Sequence, residues 1–211
     1  MRSRTVVTVN SSGRQAASFV RVASAVGWRV RAQMRDREGL VAAELEGLPN
    51  VTIFEGPLED QALIDELFRG AELAFINTTH WGDEVQIGKS LADAAKKAGV
   101  KHYIYSSMPD HSVWSKDWTG LPMWKTKYEV EQYVRKIGIP ATFIYTAIYH
   151  NNFTSLRYPL FQLELQDDGS FEWEAPFPPD VKLPWLDAEH DVGPSVLQIF
   201  LEGPKAHDGE M

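Results

Sequence analysis

The run Asn10-Ser-Ser-Gly13-Arg-Gln-Ala16 stands between a short β-rich segment and an apolar stretch of helical spacing. It has the form of a G-x-x-G-x-x-G turn with Asn at the first position and Ala at the third. Such a turn can seat a pyrophosphate: a side chain at Gly13 would block the approach of phosphate to the backbone amides and helix N-terminus. Asn10 tolerates left-handed backbone angles, and Ala16 still permits close helix-strand packing. Ser12, Arg14 and Gln15 are the polar groups beside it. About twenty residues on, where a ribose-binding residue belongs, the chain reads Met34-Arg35-Asp36-Arg37. Arg35 and Arg37 suit a 2'-phosphate, whereas Asp36 suits unphosphorylated ribose. NAD and NADP are thus both admissible, and Arg35 tilts the choice to NADP; a solvated charged turn is the alternative. Further along, Asn77-Thr78-Thr79 supplies polar side chains for a nicotinamide ribose, and Trp81 is either a cofactor-stacking ring or a packed loop anchor.

Placing these residues together requires a parallel sheet. Residues 5–9, 29–34, 51–55, 73–77, 102–107 and 141–145 read as strands, and 15–26, 61–68, 83–98 and 123–137 carry apolar residues at helical spacing. Gly27, Gly70, Gly99 and Gly138 stand just past those helices, as C-terminal stops. Strands alternating with helices predict an α/β, doubly wound Rossmann-type sheet whose ligand site lies at the carboxyl ends of its strands. This unit is expected over residues 1–150. Residues 151–211 turn aromatic and proline-rich, with one more helix near 192–201, and stop before the further strands such a lobe needs. A smaller, truncated C-terminal lobe is expected there.

Composition narrows the chemistry. With no cysteine, disulfides, thiolate nucleophiles and Cys-based zinc sites are excluded, and the six histidines form no tight ligand pair, so no metal site is expected. No apolar run reaches the roughly 18 residues of a membrane span, and Met1-Arg-Ser-Arg4 leads into a strand without a signal-peptide core, so an intracellular protein without membrane contact is expected. The net charge of -8 disfavours direct nucleic-acid binding. Residues 164–211 hold 12 Asp or Glu against Lys182 and Lys205, which makes either a solvated surface or a docking face for a basic partner.

Four stretches, Asn10-x-x-Gly13-Arg-Gln-Ala16, Ala74-Phe-Ile-Asn-Thr-Thr79, Tyr103-Ile-Tyr-Ser-Ser-Met-Pro-Asp110 and Trp185-Leu-Asp-Ala-Glu-His-Asp-Val-Gly193, together resemble the NmrA-like family of atypical short-chain dehydrogenase/reductases. The resemblance runs almost end to end. It implies a fungal regulator of nitrogen metabolite repression, cytoplasmic or nuclear, that binds dinucleotide without turning it over and contacts a GATA-type zinc-finger transcription factor. Glu189 and Asp191, beside the last helix, would steer a basic finger, and Gln198 with an exposed Phe200 would anchor it. The alternative for these positions is a core Phe200 beneath solvated acids.

The resemblance also directs attention to the helix after residue 121. A short-chain dehydrogenase sets Tyr-x-x-x-Lys on one helical face, the lysine holding the nicotinamide ribose and lowering the tyrosine pKa while the tyrosine moves the proton. Here Ser106 ends the fifth strand and Lys127 is in place, but Met123 stands four residues earlier. A thioether has no proton to give, so no catalytic residue is assigned. Isoflavone-reductase-type enzymes manage with the lysine alone, which keeps an NADP-dependent reductase as the competing reading.

Overall fold

The computed structural model describes residues 4–115 and 117–206, so the terminal Met1-Arg-Ser segment and acidic Asp208 and Glu210 lie outside the described residues. Six strands, β1 (Thr5–Thr8), β2 (Arg29–Met34), β3 (Val51–Glu55), β4 (Leu73–Ile76), β5 (His102–Ser107) and β6 (Ala141–Tyr145), form one sheet in the order β3-β2-β1-β4-β5-β6. All its pairings are parallel. The order reverses between β1 and β4, which opens a crevice at their carboxyl ends. The linking helices are α1 (Arg14–Ala25), α2 (Leu40–Glu46), α3 (Gln61–Phe68), α4 (Glu84–Ala98) and α5 (Pro122–Ile137).

Alternation along the strands sorts the core onto two faces. Val7, Ala74, Ile76, Tyr103 and Tyr105 pack with α3, α4 and α5, while Val6, Phe75 and Ile104 pack with α1 and α2. Strong local signals set the helix ends. Asp60 and Asp83 cap α3 and α4 by accepting bonds from backbone amides, and Gly99 and Gly138 end α4 and α5 at φ 73° and 70°, angles that cost a side-chain-bearing residue strain. The helix α2 was not expected from the sequence. It buries only Ala42 and Leu45 and leaves Leu40 exposed, so its apolar residues trace no clean stripe.

Beyond β6 the chain forms short pieces: β7 (Ile148–Tyr149), α6 (Asn152–Ser155), an antiparallel pair β8 (Glu164–Leu165) and β9 (Phe171–Glu172), and β10 (Trp185–Leu186), parallel to β7. Phe153, Phe161, Trp173, Phe177 and Trp185 meet there in edge-on and tilted ring contacts. The last helix, α7 (Val192–Glu202), lies instead against α1 and gives Val192, Val196 and Phe200 to the Rossmann core. A Cβ at Gly193 would sit 2.5 Å from the Ser18 carbonyl oxygen, so glycine is what lets the two helices approach.

This packing corrects the expectation of an exposed Phe200. The ring is 1% exposed, set among Phe19, Trp28 and His102. Val192, Val196 and Phe200 recur every four residues, so all three fall on the buried stripe of α7. Gln198, two positions earlier, is exposed and donates to Glu202 at 2.6 Å.

Candidate functional site

The turn after β1 is tied to both neighbouring strands. Asn10 takes a left-handed φ of 51°; its amide donates to the Gln33 side chain at 2.9 Å, and its own side chain donates to the Asn77 carbonyl at 2.8 Å. Gly13 caps α1 in extended backbone at φ -77°, so its value is room rather than an unusual angle; a Cβ there would already lie 3.1 Å from the Asn10 carbonyl. No side chain caps α1, and its first turn has no acidic residue. Its free amides and the positive end of its dipole therefore face the crevice uncompensated.

Two cavities flank this turn and share Thr79 and Trp81. One, about 420 Å³, is lined by Asn10, Ser12, Gly13 and Arg35 among others. The second, about 450 Å³, lies over the ends of β4 and β5 and is lined by Gln15, Ser106, Met123, Lys127 and Tyr149 among others. A larger groove of about 1030 Å³ lies among Tyr158, Trp173, Phe177 and Trp185, but neither the α1 terminus nor the strand-end polar groups reach it. The pair at the strand-order reversal is therefore the candidate site.

Most residues expected at the site do meet there. Arg35 lines the first cavity with a side chain 75% exposed, held only loosely by Asp36 at 3.5 Å, whereas Arg37 is taken up by Glu46 at 2.7 Å and Glu55 at 3.1 Å. Gln15 is buried and donates to the Thr146 hydroxyl and the Tyr149 phenol, while its Oε1, like the Ser107 Oγ, has no partner among the described residues. Both unpartnered atoms belong to residues lining the second cavity. Trp81 is 67% exposed between the cavities, with His80 stacked on it, and so is not a packed anchor.

Other expected residues are committed elsewhere. Arg14 pairs with Glu189 at 2.9 Å, joining a residue of the phosphate turn to one expected at a partner surface. Asp191 accepts from the Asp187 amide at 2.7 Å, and Asp187 pairs with His190 at 2.9 Å. The hydrogen bond from His190 holds the Asp187 carboxyl below its ordinary range, and Asp187 in turn raises the imidazole. Thr78 lines the second cavity, but its hydroxyl is spent inward, 2.7 Å from Glu84 and 2.8 Å from the Tyr105 phenol.

Glu84 gave no signal in the sequence, where it falls only within the helical stretch 83–98. Its side chain is 3% exposed and pairs with Lys127 at 2.9 Å, and Thr126 donates to its other oxygen at 2.5 Å. Burial works against the charged carboxylate, but Lys127 and the hydrogen bonds from Thr126, Lys127 and Thr78 outweigh it, so the net shift is downward. Burial lowers the Lys127 ammonium, with Glu84 opposing. Met123 lies half exposed on the first turn of α5, one turn before Lys127. Tyr103 and Tyr105 are core residues whose phenols burial pushes well up, far from ready proton release.

The model of the NmrA-like family matches residues 2–211. The nitrogen metabolite repression protein nmrA of Emericella nidulans is 61% identical over 99% of this chain and 60% of its own length. Crystal structures of NmrA, described as a negative transcriptional regulator, in complex with NADP and with NAD superpose at a TM-score of 0.92 and 60% identity, over 98% of this chain and 64% of theirs. The chain spans 48% of the length of the nitrogen metabolite repression protein of Neurospora crassa and 60% of that of Emericella nidulans.

Proposed function

The chain belongs to the NmrA-like family, and from that premise we propose that it is a non-catalytic NAD(P)-binding regulator acting in nitrogen metabolite repression. The observation that carries the reading is an intact dinucleotide crevice in which Met123 occupies the proton donor's place one turn from Lys127. The residues fit the group. Gly13 and the uncapped α1 terminus suit a pyrophosphate, and the unpartnered Gln15 Oε1 and Ser107 Oγ leave acceptors for polar groups at the far end. A bound nicotinamide would supply hydride chemistry; Met123 supplies no proton to complete it. The competing reading, a reductase of the isoflavone-reductase type, would have to work with Lys127 alone, since neither Met123 nor the buried Tyr105 offers a proton, and Lys127 is paired with Glu84 at 2.9 Å.

Calorimetric titration with NAD, NADH, NADP and NADPH, then a turnover assay with any form that binds, tests this. Saturable binding without turnover of common carbonyl substrates is expected; steady turnover would favour the reductase, and no binding would remove the reading. Arg35→Ala is expected to weaken NADP about fivefold more than NAD, because the exposed guanidinium adds only ~1 kcal/mol on the 2'-phosphate. Equal losses would take Arg35 out of that role.

The partner in this proposal is a basic zinc finger of a GATA-type factor, met in the cytoplasm or nucleus by exposed Glu189, Asp191 and Gln198, with Phe200 beneath them as core. No helix among the described residues is long and apolar enough to cross a membrane. Reversing Glu189 and Asp191 to Lys should slow association with such a finger and flatten its salt dependence. Because Glu189 pairs with Arg14, the same change puts a cation beside the phosphate turn, and dinucleotide affinity should rise with it. Unchanged association in a folded variant rules out this face.

A further inference from the structure

We infer that Glu84 is a positioning residue that ties up Lys127 at the wall of the second cavity, so that an entering dinucleotide competes with a carboxylate of the protein for the lysine's donors. An ammonium has three N–H bonds. In this structure Lys127 finds Glu84 Oε1 at 2.9 Å, the Thr78 carbonyl, and Thr78 Oγ1 at 3.4 Å. Any hydrogen bond from Lys127 to a ribose hydroxyl has to displace one of these.

Displacement is resisted because Glu84 cannot be left alone. Its side chain is 3% exposed against 17% for Lys127, and withdrawing the lysine would leave a buried carboxylate supported only by the Thr78 and Thr126 hydroxyls. The carboxylate itself cannot follow the lysine outward. It is fixed on the first turn of α4, with one oxygen bonded to Thr78 beyond the end of β4 and the other to Thr126 on α5. To the second cavity the pair therefore presents a neutral unit rather than a free cation. The same tether leaves less positive charge to acidify a neighbouring hydroxyl, so Met123 is not the sole obstacle to hydride transfer in this cleft.

Resting on the dinucleotide reading, the inference is tested by the affinity of Glu84→Gln, which keeps the size and one acceptor but removes the charge. By calorimetry with NAD, Glu84→Gln should bind about three- to tenfold more tightly than wild type, the gain of a released charged donor. Adding Lys127→Met to Glu84→Gln should abolish the gain. A merely structural Glu84 would give the opposite sign, with both variants binding more weakly. Should Glu84→Gln fail to fold, the wild-type chain supplies a second measurement: the ¹⁵N resonance of the Lys127 ammonium, assigned by its loss in Lys127→Met, should move on saturation with NAD. Wild-type binding with unchanged or weakened affinity in folded Glu84→Gln, or an unmoved ammonium resonance, overturns the inference and leaves the dinucleotide reading standing. A wild-type chain that binds neither NAD nor NADP removes both.

Discussion

Gly13→Asp should abolish dinucleotide binding while leaving the fold in place. Gly13 caps α1 at φ -77° and ψ 153°, a conformation open to any L-residue, and aspartate is among the favoured residues at that position. The new Cβ would lie 3.1 Å from the Asn10 carbonyl, close enough to require a shift of a few tenths of an ångström but not to unfold the turn. The helix should hold its stability, since the introduced carboxylate can accept from first-turn amides that no side chain now caps. Those amides are the ones a pyrophosphate needs, and the carboxylate adds a fixed negative charge in its path. Losing the anion's charged hydrogen bonds and gaining repulsion should cost at least ~3 kcal/mol, more than about a hundredfold in affinity. Gly13→Ala, which adds bulk without charge, should lose less. Calorimetry beside a thermal melt decides: a folded Gly13→Asp protein that still binds NAD takes the α1 terminus out of the site.

The phosphate turn was legible because its parts are contiguous. A strand, a turn with one glycine and a helix start fall within a dozen residues, and short β-rich runs placed the sheet strands to within a residue or so. The doubly wound class followed from the βα repeat and the handedness of its crossovers, whereas the structure supplies the place of the reversal, between β1 and β4. What escaped the sequence depends on pairs far apart in the chain. Glu84 and Lys127 meet because α4 and α5 lie side by side, with Gly88 so close to Val130 that a Cβ would overlap it. No local pattern marks a glutamate as buried when its only sign is a partner 43 residues away. Glu189 gives the same lesson in charge: counting acids identified an unbalanced C-terminal segment, but only the docking of α7 on α1 shows Glu189 spent on Arg14, 175 residues away. The apolar residues of α2 run around the helix instead of down one stripe, and only Ala42 and Leu45 are buried.

Phe200→Ala should destabilise the protein by about 3–5 kcal/mol, the range for truncating a buried aromatic ring. The ring is 1% exposed, with centroids of Phe19, Trp28 and His102 at 5.7, 6.1 and 5.2 Å, so its removal leaves a void bordered by α1, the sheet and α7 together. The neighbouring glycine contact limits repair. Gly193 already lies so near the Ser18 carbonyl that α7 cannot slide closer at that end to fill the gap. Against a typical total stability of about 5–15 kcal/mol the loss is large, and for a chain of this length it corresponds to a fall in Tm of roughly 6–20 °C. Phe200→Leu, which keeps apolar volume, should fall between the variant and wild type. The consequence reaches function, because α7 carries Gln198 on its exposed face and follows the loop that presents Glu189 and Asp191. Weakened partner binding in Phe200→Ala would then come from a loosened α7, visible as faster amide hydrogen exchange along residues 192–202 in the free protein. A variant that melts with wild type, keeps α7 protected and still loses the partner would instead make Phe200 itself a contact and overturn its assignment to the core.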